Sequence, residues 1–322
     1  MSAAKKVWII IAIAVIILGA SVFVIIMSAN EWDFMTLQTV KHQTTEYEIT
    51  EDFTNISIIA DTEDITILPS TDGKCRVVCY VDQKEQHSVS VDNGVLSIVT
   101  SNMKKWYDYI GVFNFESSRI TVYLPAGEYG NLVIDSHTGD IQVQNDFKFS
   151  SVSIKATTAD VYYYASALGF VQIHTSTGDI NVENISAEML DIEVSTGKIK
   201  AQNVVCAKDV KLVVDTGDAK LVKVRCNNLI SVGDTGDLIM NDVWASDKFD
   251  IVRDTGDVTL NLCDASEIDI VTSTGDVSGV FIRDMMIFAS TSTGKKDVPN
   301  IDHGGRCEIT TDTGDIKIQI SK

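Results

Sequence analysis

The sequence predicts an all-β fold. It reads as a single parallel β-solenoid (β-helix) of about ten coils of 19–20 residues, with an irregular β-rich amino-terminal cap, preceded by one transmembrane α-helix. Three observations predict it. An uncharged apolar run fills residues 7–27. A Thr-Gly-Asp or Thr-Gly-Lys tripeptide recurs at a near-constant interval from residue 138 to the carboxyl end. Around each of its glycines, apolar and polar residues alternate.

The apolar run, VWIIIAIAVIILGASVFVIIM, has 21 residues without a charge. That is long enough to cross ~30 Å of hydrocarbon at ~1.5 Å per residue. Lys5 and Lys6 precede it, and Glu31 and Asp33 follow. The positive-inside rule makes residues 1–6 a cytoplasmic tail and places the bulk of the chain outside, as a single-pass cell-membrane protein. Trp8 and Trp32 flank the run like interfacial anchors. A cleaved signal peptide is the alternative, because Gly19-Ala20-Ser21 supplies the small residues a cleavage site needs. Strong apolarity resumes at Val22 and runs to Met27, which favours an uncleaved signal anchor. Residues 28–45 read as a linker.

Residues 46–130 are strand-rich but irregular and form the expected cap. Within them, HSVSVDNGVLSIVTS reads as a hairpin turning at Asn93-Gly94. The stretch from Asp61 to Ile67 looks like an imperfect early copy of the repeat's turn and second strand.

The repeat fills residues 131–322. Its glycines stand at 139, 178, 197, 217, 236, 256, 275, 294 and 314, and Thr158-Ala159-Asp160 fills the one gap. The intervals are then 19 or 20 throughout. Seven residues before each glycine stand Leu132, Val152, Val171, Leu190, Val210, Leu229, Phe249, Ile268, Ile287 and Cys307. Two after stand Ile141, Val161, Ile180, Ile199, Ala219, Leu238, Val258, Val277, Lys296 and Ile316. Period two, β-branched residues and no proline within the repeat before Pro299 mean strands. Two longer strands and a short one make each coil, and like residues of successive coils stack about 4.8 Å apart. Glycine serves the turn because it accepts φ > 0, so Ala159 is expected to be slightly strained.

Composition narrows the function. The chain carries 45 acidic and 26 basic residues, a net charge of −19. Nucleic acid is excluded as a partner, since its binding relies on Lys and Arg displacing counterions. Broad contact with an anionic lipid surface is disfavoured for the same reason. A hydrophobic content of 45% argues against disorder.

The runs SSRITVYLP, NLVIDSHTGDIQV and the repeated STGDI and DTGDV resemble the bacterial putative-adhesin family of β-strand-repeat proteins, related to the toast-rack domains of the cell envelope. The resemblance spans about residues 46–322. It implies a membrane-linked, surface-exposed β-solenoid of a family without established enzymatic activity, so it carries over no catalytic residue. Lys198 and Lys295 stand where the family pattern has Asp.

Four groups of residues are candidates for chemistry. Asp215, Asp218, Asp234, Asp237, Asp254 and Asp257 fall on three neighbouring turns. Carboxylates about 4.8 Å apart repel by roughly 0.9 kcal/mol even in water, which calcium would relieve. Solvated turn carboxylates with no cofactor are the alternative. Cys206 and Cys226 share a phase in adjacent coils, within disulfide reach, although parallel stacking favours reduced thiols. Trp106, Tyr107, Tyr109, Phe113 and Phe115 lie in one aromatic stretch, read either as a lid on the solenoid end or as a contact loop for lipid or a partner. The five histidines, at 42, 87, 137, 174 and 303, show no metal spacing.

These readings favour a non-enzymatic, adhesin-like or scaffold protein whose envelope or surface ligand is unknown. An accessory or sensor subunit of an envelope-stress system, acting through membrane protein partners, is the alternative. A β-helix polysaccharide-acting enzyme is disfavoured, because coil length varies by one residue and leaves no loops to build a cleft. Ile316, Ile318 and Ile320 near the carboxyl end suggest an open, uncapped last coil and end-to-end self-association.

Overall fold

A computed structural model describes residues 3–33, 40–83, 85–102 and 116–321. The aromatic stretch 103–115 lies outside the described residues, as does part of the linker. The chain divides into two units, residues 1–42 with 104–117 and residues 43–103 with 118–322.

In the first unit the apolar run forms the helix Ala3–Ala29. Lys5–Ala29 is long and apolar enough to span a membrane. The helix stops where Glu31 and Trp32 take left-handed φ angles of 52° and 62°. There the Trp32 N–H turns back to the Met27 carbonyl at 2.8 Å, and the Asn30 amide donates to the Ile26 carbonyl at 2.8 Å. Both bonds satisfy carbonyls that a helix end leaves orphaned.

The second unit is the β-solenoid. In one representative rung, strand Met189–Thr196 leads into the Thr-Gly-Lys turn and strand Ile199–Cys206 leaves it. Asn203 bends the second strand with φ 52°, and Asn184, Lys223, Asp242 and Leu262 repeat that corner in neighbouring rungs. Asn and Asp tolerate this region, whereas Lys223 and Leu262 hold it under strain. Successive rungs pair in parallel and in register, Leu190 with Val210 and Val210 with Leu229. All three are fully buried in one continuous core. The expected hairpin is present: strands Glu85–Asp92 and Val95–Asn102 pair antiparallel across Asn93 and Gly94, both at positive φ.

Rung order departs from chain order at both ends. Strand Asn55–Ala60 lies between Val95–Asn102 and Gly127–Thr138. Strand Asp64–Pro69 likewise lies between Arg119–Leu124 and Ile141–Val143. Cys75–Asp82 then closes this end by pairing antiparallel with Arg119–Leu124. At the other end, Gly305–Thr313 inserts between Glu267–Thr274 and Met285–Thr293. Ile316–Ile320 inserts between Val277–Phe281 and Lys296–Asp297.

This corrects the expectation that Ile316, Ile318 and Ile320 form the open end. Ile316 and Ile318 are buried in an interior rung, and the rung 285–297 is outermost. The residues give a physical reason. The rung 305–320 has apolar Cys307, Ile309, Ile316 and Ile318 in its inward columns. The rung 285–297 puts Lys296 in an inward column, and a buried unpaired ammonium would cost several kcal/mol. At the end of the stack Lys296 is exposed. The regular rung therefore goes inside and the irregular one outside.

Hydrogen exchange tests this order. Amides of Gly305–Thr313 are expected to exchange more slowly than those of Met285–Thr293, although they lie nearer the carboxyl end. Ile316→Ala should destabilise by about 2–5 kcal/mol in denaturant titration, as a buried truncation does. Ile287→Ala, in the outermost rung, should cost about 1 kcal/mol or less.

Candidate functional site

The turn column carries the candidate ligands predicted from the sequence, Asp215, Asp218, Asp234, Asp237, Asp254 and Asp257. Each turn sits directly on the one before. A Cβ on Gly178 would lie 2.0 Å from the Ala159 carbonyl oxygen, and one on Gly217 would lie 1.9 Å from that of Gly197. Both glycines also hold positive φ, 126° and 135°. Close stacking and backbone conformation thus both demand glycine. Ala159 is not among the residues at positive φ, so the strain expected there does not arise.

The aspartates after the glycines are used in the backbone. Asp140 accepts from the Asp160 N–H at 3.0 Å, Asp160 from Asp179 at 2.7 Å, and Asp179 from Lys198 at 2.8 Å. Lys198 has no carboxylate to continue the series, and its Nζ instead reaches Asp218 Oδ2 at 3.1 Å. That contact, with the Asp237 N–H, holds the Asp218 carboxyl below the usual carboxylate range. The series resumes from Asp218 to Asp237, from Asp237 to Asp257 and from Asp257 to Asp276, at 3.2, 2.9 and 2.8 Å. Asp215, Asp234 and Asp254 are exposed two residues before the glycines. Among the described residues no three His, Cys, Asp or Glu side chains are placed to share a metal ion. The six aspartates proposed from sequence are therefore not brought together as a cation site. Three of them accept hydrogen bonds from turn amides instead.

Two buried polar groups escaped the sequence reading. Glu63 occupies the glycine position of the rung 55–69, where the carbonyl of Glu63 lies under Gly139. Its carboxylate is fully buried. Oε2 accepts the Asp61 and Thr62 N–H groups at 2.9 and 3.0 Å, and Oε1 lies 3.2 Å from His87 Nε2. Burial pushes this carboxyl up, but the bonds from His87 and the backbone outweigh burial and leave it below the usual range. The pair fastens the cap hairpin to the first rung beside a cavity of about 210 Å³ lined by Tyr47, Cys79 and His87 among others.

Arg253 is the second, only 1% exposed and pointing into the core. Its Nη2 donates to Ser231 Oγ at 2.9 Å. Gly233 leaves the space its guanidinium fills, since a Cβ there would overlap Nη1. Burial lowers the Arg253 pKa to about 10. All six cysteines are free and buried, Cys206 and Cys226 among them. Burial pushes each thiol up to about 12, which keeps it protonated and unreactive.

The exposed surface carries a different constellation. Eight residues after successive glycines, Val205, Arg225, Trp244 and Asp264 stack as in-register neighbours. The Arg225 guanidinium lies over the Trp244 ring, 4.4 Å from its centroid. Its Nη2 donates to Asp242 Oδ1 at 2.6 Å and its Nη1 to the Asp242 carbonyl at 2.5 Å. Arg283 Nε donates to Asp264 Oδ1 at 2.8 Å further along the side. Trp244 stays 42% exposed, with Val205 at 55% and Leu262 at 45%. The result is an apolar patch framed by charges that are already paired. Trp and Arg are the residues that most often dominate binding energy in interfaces. The outward phase of this column, eight residues after each glycine, is present in the sequence, but exposure leaves no apolar pattern to mark it.

Two expectations follow from these polar groups. Asp257→Ala should cost about 0.5–1.5 kcal/mol, the value of the bond to the Asp276 N–H, and melts in calcium and in chelator should coincide. Glu63 has a lowered folded-state pKa, so its stabilisation is complete above the ordinary value of 4.5 and is lost as pH falls through the lower folded value. Unfolding free energy measured against pH should therefore drop in acid. Glu63→Gln should flatten that drop and cost about 1–3 kcal/mol at neutral pH.

No curated protein matches the sequence. Solved structures that match include a putative adhesin from Bacteroides fragilis, at 17% identity and TM-score 0.39, covering 86% of this chain and 97% of that one. Another putative adhesin, from Parabacteroides distasonis, matches at 14% identity and TM-score 0.41, covering 86% and 98%. A putative lipid binding protein from Parabacteroides distasonis matches at 12% identity and TM-score 0.30, covering 88% and 98%. The profile of the Toastrack DUF4097 family matches residues 53–319. The chain belongs to the Toastrack DUF4097 family.

Proposed function

We propose that this protein works by contact, as an adhesin-like or scaffold module that catalyses no reaction. In this reading the helix Ala3–Ala29 anchors it in the cell membrane, amino end inside, and the solenoid is presented on the outer side. The observation that carries the reading is the Arg225–Trp244 patch. An exposed indole is held rigid by a stacked guanidinium, which Asp242 holds in turn. Such a pre-set aromatic surface loses little side-chain entropy when a partner covers it. The buried ionisable groups support the absence of chemistry. Glu63 is held by turn amides and His87, Arg253 by Ser231, and the thiols stay protonated.

The test uses the full chain in its own membrane, with a proximity-labelling enzyme fused to the carboxyl end. Trp244→Ala should lower recovery of the main labelled partner about tenfold or more, as loss of a hot spot of roughly 2 kcal/mol does. The melting temperature should stay unchanged, because Trp244 points outward. Unchanged recovery with Trp244→Ala and with Arg225→Ala would remove this patch as the contact surface.

A further inference from the structure

The strand that enters each turn carries a second outward pattern, on a different face from the Trp244 patch. Four residues before successive glycines stand Val213, Val232, Val252 and Val271, in-register neighbours on four rungs. Val232 and Val252 are each 37% exposed and Val271 is 49% exposed. Ile230, two residues before Val232, widens the stripe. Three intervals at the spacing of paired strands make it about 14 Å long. The core columns beneath these strands hold it rigid.

Charge borders the stripe unequally. Two residues further along the same strands, Asp215, Asp234 and Asp254 form an exposed parallel row. Their carboxylates have no hydrogen bond or ion pair among the described residues, whereas Asp218, Asp237 and Asp257 each accept a turn amide. On the other border the charges are largely answered within the chain. Lys211 reaches Asp191 at 3.3 Å and Lys248 reaches Asp269 at 2.5 Å. A partner therefore meets aliphatic surface with unanswered negative charge along one edge.

That combination selects the occupant. A second copy, at a net charge of −19, would bring like charge to the row, and an anionic bilayer would do the same. The valines run along the solenoid axis at about 4.8 Å per rung. An α-helix laid along that axis advances about 5.4 Å per turn, so one aliphatic side chain per turn drifts by only about 2 Å over three rungs. An extended strand in the same direction repeats one face every ~6.8 Å and loses step within two rungs. We propose that this face docks a basic amphipathic helix of a partner protein. Its aliphatic side chains cover Val213, Val232, Val252 and Val271, and its Lys or Arg side chains, along one flank, meet Asp215, Asp234 and Asp254.

The test uses the full chain in zwitterionic detergent micelles, with an environment-sensitive dye on Ser273→Cys. Ser273 continues the aspartate row beside Val271, and the six native thiols are buried, so the label goes to one place. The probe is a synthetic amphipathic helix of leucine and lysine, about four turns long. It should shift the dye emission saturably, and more weakly as salt rises. Replacing Asp215, Asp234 and Asp254 together by Asn should weaken binding at least tenfold. Val232→Thr with Val252→Thr should weaken it about tenfold. Both sets are outward and close in shape to the native residues, so the melting temperature should hold. A leucine–glutamate helix should give no shift. Absence of a saturable shift overturns the proposal, and so does binding indifferent to either set of substitutions. Equal binding of a scrambled peptide of the same composition also overturns it, by showing charge attraction without a helical face. Trp244→Ala should leave the shift unchanged, and a loss there would assign the probe to the other patch and overturn this one.

Discussion

Every feature of the solenoid depends on rung-to-rung stacking of the backbone at the spacing of paired strands. A single rung of nineteen or twenty residues cannot bury its apolar face, so it is stable only against neighbours. The turn shows how tight that constraint is. Gly217 approaches the Gly197 carbonyl so closely that no Cβ fits, and the Asp160 carboxylate lies where the Asp179 N–H needs an acceptor. The Thr-Gly-Asp signature is thus a stacking device. Its carboxylates satisfy turn amides that the strand ladder leaves unpaired, which offsets part of the repulsion within a column of like charges.

The same one-dimensional logic makes departures from the pattern local. Lys198 interrupts the carboxylate series, and the damage is confined because its ammonium pairs with Asp218 in the next rung. Arg253 enters a core column between Gly233 and Thr272, with Val214 one rung further back, and two positions in the preceding rung answer it. Gly233 gives space and Ser231 gives an acceptor. The buried guanidinium and its two partners form one unit spread over two rungs, so none of the three residues makes sense alone.

Much of the fold was legible from the residues. Leu190, Val210 and Leu229 share a phase in the sequence and a column in the structure, because period two and the glycine interval together determine which side chains point inward. Three things were not legible. Arg253 sits in a phase whose other members are small or apolar, and only the space left by Gly233 reveals that it turns in rather than out. Glu63 lies in a turn and His87 on a cap strand 24 residues away, with no periodic signal to join them. The Arg225–Trp244 patch lies on an outward column, where burial imposes no pattern and side-chain identity alone had to be noticed.

Rung order was hidden for a deeper reason. A repeat specifies the column of each residue, but identical columns make the slots interchangeable. The chain then chooses among slots by its exceptions. At the carboxyl end the exception is Lys296, which is tolerable only where water reaches it, so the last regular rung moves inward and hydrogen-bonds a turn 39 residues away, Asp315 N–H to Asp276. At the amino end the rung 55–69 is likewise sandwiched by segments that follow it in sequence. The first and last rungs of the solenoid in sequence are therefore held by ladders on two sides, and its outermost rungs are built from segments internal to the sequence. The antiparallel strands of the cap cover the outermost rung at the amino end. Nothing equivalent covers Met285–Thr293 among the described residues. The arrangement that buries the regular rung is also what brings an uncharged strand to the tip.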